Sequence, residues 1–311
     1  MSRMADPFDL GNGDAFRRWR DEKLRGYPGH AGDLIVEVGD PRALTRAEHA
    51  ALLQRCRKTN MALYASRVLD ADTDIPRLLG RQFGLQRLDA NWLADEDGIS
   101  QLTASGGDRH GEYIPYTNRP IKWHTDGYYN PPERRIWAIL LHCVCSALSG
   151  GENSLLDHEI AYLLMRERNP DFVRALMAPD AMMIPAREGE DGVARAAQTG
   201  PVFHVADAGG ALHMRYTSRT RSIRWRQDPA TLAAVAFIEE LLNADLPYIF
   251  RVRLEPGMGI ICNNVLHDRT GFDDDEHRPR LVYRARYFDR IRGTAADAPS
   301  DRHALPSGAG A

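Results

Sequence analysis

No apolar run in this 311-residue chain approaches the ~20 residues that a membrane-crossing helix needs. The N-terminal stretch MSRMADPFDLGNGD has no apolar core of the signal-peptide kind, so the expected location is cytoplasmic, with no membrane partner. Cysteine is scarce, four in all (Cys56, Cys143, Cys145 and Cys262). Cys143 and Cys145 alternate inside the apolar run WAILLHCVCSAL, the pattern of buried strand thiols rather than a CxxC redox or zinc motif. Charge of one sign is also lacking: a formal net charge of −3 gives no reason to expect a nucleic-acid partner. No GxGxxG or P-loop sequence occurs, and no regular βαβ alternation, which argues against a nucleotide-binding parallel sheet. There is no internal repeat and no domain-sized linker.

What is present is a globular composition, 43% hydrophobic and 27% charged, in a chain long enough for one large core. Residues 1–30 are charged and punctuated by glycine and proline, and are expected to form a loose N-terminal arm. LTRAEHAALLQRCRKTN (44–60) predicts a helix, with Thr45 as N-cap and Glu48 closing a capping box. DIPRLLGRQFGL predicts another behind Asp74. From residue 99 many short strands follow one another: ISQLTAS, EYIPYT, IKWHT, RIWAILLHCVCSAL and NSLL. A helical insert spans 157–178, broken at Pro170. DPATLAAVAFIEELLNAD predicts a helix capped by Asp228 with Pro229 at its first position. Further strands end in RLVYRARYF, and 292–311 reads as a disordered tail. The expected class is mainly β with flanking helices (α+β), built on a jelly-roll core in a single domain, 31–291.

The chemistry concentrates in IKWHTDGYYN. In a strand, His124 and Asp126 project to one face, with Thr125 opposed. A third ligand is needed, and His267 in GIICNNVLHDRTGF suits it, just past a second apolar strand about 140 residues further on. Two imidazoles and one carboxylate form the facial set that binds non-haem Fe(II) and leaves positions open. RPRLVYRARYF then places Arg280, Arg284 and Arg286 on one strand face. Buried guanidiniums need anionic partners, and a co-substrate carboxylate suits one of them. Arg286, near the strand end, is expected to be solvated or paired with protein acids such as those in DDDE. Trp123, Tyr128 and Tyr129 wall a substrate pocket or pack as core and rim. The arginine-rich stretch HMRYTSRTRSIRW (213–225) is expected to be an exposed strand and loop, with a substrate lid as the rival.

HTD, the distant NNVLHDRTGF, the arginines after it and the intervening SGGENSLLDHEIAYLLM together resemble the TauD/TfdA family of Fe(II)- and 2-oxoglutarate-dependent dioxygenases. The resemblance covers roughly residues 99–290 and implies a double-stranded β-helix. It implies His124, Asp126 and His267 as iron ligands, with 2-oxoglutarate and O2 as co-substrates. It implies Arg280 as the clamp on the far carboxylate of 2-oxoglutarate, with Arg278 the alternative. Asn153 stands where the family commonly has a threonine or serine that also touches 2-oxoglutarate, and neighbouring Ser154 is the alternative. Arg284 matches the arginine that holds the anionic group of the prime substrate. The implied reaction is hydroxylation of a small anionic or zwitterionic substrate, yielding succinate and CO2, in a homo-oligomer (dimer or tetramer). The alternatives are another metalloenzyme using the same two histidines and aspartate, such as a metal-dependent hydrolase, and a jelly-roll binding protein without turnover.

Overall fold

The computed structural model describes residues 6–89, 98–104, 114–189, 192–206, 210–219, 223–275 and 277–295. Ten strands form two facing sheets. They are β1 (Ile35–Glu37), β2 (Met61–Ala65), β3 (Ser100–Leu102), β4 (Ile121–His124), β5 (Ala138–Cys145), β6 (Asn153–Leu156), β7 (Ile249–Val252), β8 (Met258–Cys262), β9 (Leu266–Arg269) and β10 (Leu281–Tyr287). One sheet runs β1-β2-β8-β5-β10-β3 and the other β7-β6-β9-β4. Only β1 and β2 pair in parallel; every other pair in the two sheets is antiparallel. This is the expected jelly-roll.

Strand β5 shows why the sheets face each other. Its residues are apolar on both sides because both sides are covered. Ile139, Leu141 and Cys143 point between the sheets, where they meet Leu155, Phe250, Ile260 and Val282. Ala138 and Leu140 point the other way, into a cluster with Leu52, Cys56 and Leu79 from α2 (Arg46–Thr59) and α3 (Asp74–Gln82). The four-stranded sheet offers Leu156 and Leu266 to a third cluster under α4 (His158–Arg168), α5 (Pro170–Leu176) and α6 (Pro229–Asn243). All four cysteines are buried and free, as the alternation of Cys143 and Cys145 implied.

Local signals set the helix ends. The Thr45 hydroxyl accepts from the Glu48 amide while the Glu48 carboxylate accepts from the Thr45 amide, which is the expected capping box. Asp228 accepts from the amides of Ala230 and Thr231, and Pro229 opens α6. The insert splits at Pro170, whose helix is capped by Asn169.

Two expectations are corrected. The described part of the N-terminal segment is no loose arm: Gly13–Leu24 forms α1, and Phe8, Phe16 and Trp19 close around the ring of Tyr162 and its neighbours. Buried Lys23 then pairs with Asp157 (2.7 Å) and Glu159 (2.6 Å) at the start of α4. A few aromatics in a charged sequence are enough to dock a helix, because each buries far more apolar area than its neighbours expose. EYIPYT is the second case, since its described residues form a 3-10 turn, Ile114–Tyr116. Residues 296–311 of the expected tail lie outside the described residues. Just before them, Thr294 is fixed by a hydrogen bond from Asn263 (2.9 Å).

Candidate metal and co-substrate site

The metal-capable residues sit where β4 and β9 run side by side. His124 and His267 are directly opposed in that antiparallel register, with ring centroids 4.2 Å apart. Asp126 follows His124 in a turn closed by Gly127, whose backbone is left-handed (φ 68°). A Cβ there would lie 2.4 Å from Ile136, so the turn needs glycine for both shape and space. One ligand atom from each of His124, Asp126 and His267 falls within 4.8 Å of the others.

The tautomers suit a metal. Nδ1 of His124 lies 2.9 Å from the Lys122 carbonyl, and Nδ1 of His267 lies 2.9 Å from the Val265 carbonyl. A carbonyl only accepts, so each proton sits on Nδ1 and each Nε2 keeps its lone pair. Burial, and then the neighbouring His124, push the His267 imidazole down to about 4, so it is neutral at ordinary pH. Burial alone would raise the Asp126 carboxyl; the guanidiniums of Arg284 and, further off, Arg286 hold it well below the usual carboxylate range. Its Oδ1 is 3.5 Å from the Arg284 guanidinium and 3.6 Å from His124 Nε2. Its Oδ2 is buried with no hydrogen-bond partner among the described residues. Two bare imidazole nitrogens and one orphaned carboxylate oxygen fit a divalent ion, and leaving that oxygen unpaired would otherwise be costly.

Beside the triad lies a solvent-open cavity lined by His124, His267, Asn153, Leu141, Arg280 and Arg284 among others. Arg280 is buried, and its guanidinium has no carboxylate within ion-pairing distance among the described residues; the ring of Phe272 lies 5.2 Å away. Burial lowers the pKa of that guanidinium. Gly151, whose left-handed backbone (φ 73°) suits glycine, lies alongside, 3.7 Å from Arg280 Nε at the position a Cβ would take. Arg278, the alternative, is exposed and donates to the Cys145 sulfur instead. Asn153 lines the cavity. Ser154 projects from the other face of β6, and its amide donates to Asp268.

The remaining expected residues divide. Arg284 lines the cavity, but its nearest anion is Asp126 itself. Arg286 is buried and pairs with Asp89 (2.7 Å), which also binds Arg134, while donating to the Tyr129 hydroxyl (2.8 Å). Its partner is therefore a protein acid, although not one of the DDDE run. Trp123 does not line this cavity and packs against the helical core cluster. The Tyr128 ring meets His124 edge-on at 6.4 Å and Tyr129 at 5.2 Å.

Two site features were not anticipated. Asn264, left-handed at φ 48°, accepts from the Asp126 amide (2.8 Å) and donates to the carbonyls of Asp126 (2.9 Å) and Ile136 (2.7 Å). The NN pair ahead of His267 was the available signal, because Asn is the side chain that best tolerates that backbone. In the arginine-rich stretch, Arg215 is buried and donates to the carbonyls of Tyr128, Met182, Gly200 and Gln198, so it is no exposed loop residue. Arg219 and Arg224 are exposed, and Arg221 lies outside the described residues.

Comparison with known proteins agrees with this geometry. The model of the family described as "Taurine catabolism dioxygenase TauD, TfdA family" matches residues 44–286. A uridine-5'-phosphate dioxygenase of Amycolatopsis sp is 30% identical over 200 residues, covering 63% of this chain and 70% of that protein. Another of the same name, from Streptomyces sp, is 29% identical over 204 residues, covering 61% of this chain and 69% of its own. The structure of an asparagine oxygenase in complex with Fe(II), 2S,3S-3-hydroxyasparagine and succinate superimposes with a TM-score of 0.57 at 14% identity, over 79% of this chain and 81% of that one.

Proposed function

The chain belongs to the TauD, TfdA family of dioxygenases, and from that premise we propose that its prime substrate is a phosphate-bearing small molecule of the nucleoside 5'-monophosphate class. It is an Fe(II)- and 2-oxoglutarate-dependent dioxygenase acting on a small organic substrate, with succinate and CO2 as co-products. That sets aside the hydrolase and the non-catalytic binding protein.

In this reading His124, Asp126 and His267 hold the iron, and Arg280 takes the far carboxylate of 2-oxoglutarate. The single observation that carries it is one cavity wall bearing both bare imidazoles of the ligand triad and a buried guanidinium without an acid. When bound, the iron supplies oxygen activation driven by decarboxylation of the keto acid. The chain does the rest. The Lys122 and Val265 carbonyls orient the two imidazoles, and Asn264 fixes the Asp126 main chain. Arg284 keeps Asp126 ionised, and the Leu141 and Val282 side chains hold water away from that wall. Asn153 offers an amide donor to the co-substrate in place of a hydroxyl.

The substrate class is supported by the two relatives named for uridine 5'-phosphate and by the excess of arginine around the site. It is tested by following succinate release in Fe(II), 2-oxoglutarate and O2 with uridine 5'-monophosphate, uridine and small sulfonates or carboxylates. Stimulation by the nucleotide alone is the expected result; stimulation only by sulfonates or carboxylates refutes it. A cytoplasmic location and a homo-oligomer, dimer or tetramer, belong to the same reading. Four free thiols support the first, and sedimentation of the purified chain tests the second. No helix among the described residues is long and apolar enough to cross a membrane.

A further inference from the structure

A second, solvent-open cavity adjoins the triad on the far side of the Asp126 turn. Asp126, Gly127 and Tyr128 form one wall, and Arg135, His213 and Arg215 are among the residues opposite. Its electrostatics are unusual. Arg135, Arg195 and Arg215 all have guanidinium pKa values lowered, first by burial; Arg135 and Arg195 lower Arg215 further, to about 10. None of the three forms an ion pair with a carboxylate among the described residues, and Glu133 acts on Arg135 only at a distance.

The three differ in what their N–H groups do. Arg215 donates to four main-chain carbonyls, and Arg195 donates to those of Pro185 (2.9 Å) and Tyr129 (3.4 Å). These two are built into the frame. The Arg135 side chain makes no hydrogen bond among the described residues. The neighbour Arg134 shows that the position does not lack acids nearby: it faces the other way and pairs with Asp89 at 2.7 Å. His213 lines the cavity as a neutral imidazole, its pKa lowered to about 3, first by burial, and so adds no charge. A partly exposed guanidinium with no protein partner, in a cavity that also holds the fixed cation of Arg215, keeps its donors free for a ligand. An incoming dianion takes those donors, and the planar fork of arginine matches phosphate oxygens.

We propose that this second cavity is an anion subsite in which Arg135 receives the phosphate of the prime substrate, while the rest of the molecule reaches past Asp126 and Tyr128 toward the triad. The proposal rests on the nucleotide reading above for the source of the phosphate, though not for the site. It also gives Arg284 no need to serve the substrate anion, which agrees with its contact to Asp126.

Binding measured by calorimetry on the full-length, metal-free protein tests both parts, with uridine 5'-monophosphate, uridine and inorganic phosphate as probes. Wild-type protein is expected to bind the nucleotide at least tenfold more tightly than uridine. Arg135→Ala is expected to weaken nucleotide binding by tenfold or more and leave uridine unchanged, with Arg135→Lys recovering part of the loss. Thermal unfolding of both variants checks that the fold is intact, as expected for a side chain that makes no hydrogen bond. If Arg135→Ala keeps the wild-type preference for the nucleotide, the subsite is wrong and the substrate reading stands. If wild-type protein ignores the nucleotide but binds inorganic phosphate through Arg135, the subsite stands and the nucleotide reading fails. If neither phosphate probe depends on Arg135, the proposal is overturned.

Discussion

Replacing Asn264 with glycine should damage the metal site without touching any ligand. Glycine accepts the left-handed backbone at this position, so the main effect is loss of the amide and its three hydrogen bonds. At roughly 1 kcal/mol net for each, the loss is about 3 kcal/mol, and more if water does not reach the freed Asp126 and Ile136 groups. Added backbone entropy of the unfolded chain contributes roughly 0.5–1 kcal/mol in the same direction. For a chain of this size that lowers the melting temperature by roughly 5–6 °C. Because the amide grips both polar groups of the Asp126 main chain, its carboxylate also loses its fixed position, and Fe(II) affinity should fall about 10- to 100-fold. Urea denaturation reads the first effect, and the Fe(II) dependence of succinate formation reads the second. Asn264→Asp should be worse, since it sets a buried carboxylate against two carbonyl oxygens that now receive a donor. A glycine variant within about 1 kcal/mol of wild type and with an unchanged Fe(II) dependence would refute the clamp.

Three further outcomes are expected. Arg280→Ala should raise the KM for 2-oxoglutarate by about 10- to 100-fold, the weight of a charge-assisted pair, with Arg280→Lys intermediate; an unchanged KM removes Arg280 from that role. Lys23→Met leaves the buried Asp157 and Glu159 without their nearest cation, with only Arg290 still 3.9 Å from Glu159, and should cost about 3 kcal/mol in chemical denaturation, with a loss below 1 kcal/mol contradicting the ion-pair account. Burial lowers His142 to about 4 and His213 to about 3, so both are neutral when folded and protonate more readily when unfolded. The unfolded state therefore binds more protons below pH ~6.5, and stability should fall by a few kcal/mol between about pH 6.5 and 4. A flat denaturation profile across that window sinks the assignment.

The jelly-roll, the capped helices and the His124, Asp126 pair were legible because each depends on local patterns: strand alternation, capping chemistry and two ligand types two residues apart; His267 stood out only as a histidine just past a second apolar strand. Arg280 was separable from Arg278 only once β10 was in place, since two residues along an irregular approach do not fix which side chain turns inward. The docking of α1 was missed because Phe8, Phe16 and Trp19 look sparse in a charged segment, and only Tyr162 and its neighbours, far along the chain, show what they cover. The partner of Arg286 was misjudged for a similar reason. Asp89 is remote in sequence, whereas the DDDE acids are close by in the chain but not in space. Arg215 looked like surface charge because nothing local signals that four carbonyls converge on it.

The opposed histidines of β4 and β9 also bear on the mechanics of the chain. They belong to segments about 140 residues apart, joined by a short run of antiparallel contact and by the Asn264 amide on the Asp126 main chain. An ion gripped by both strands is therefore a cross-link that closes a very long loop, and loops of that length lose several kcal/mol of entropy on closure. Iron should act as a staple for the sandwich as well as a reagent, so that chelation loosens β4 from β9 first and leaves the helical layer over β6 comparatively firm. Hydrogen exchange at the Trp123 and Arg269 amides, with and without chelator, is where that loosening would register.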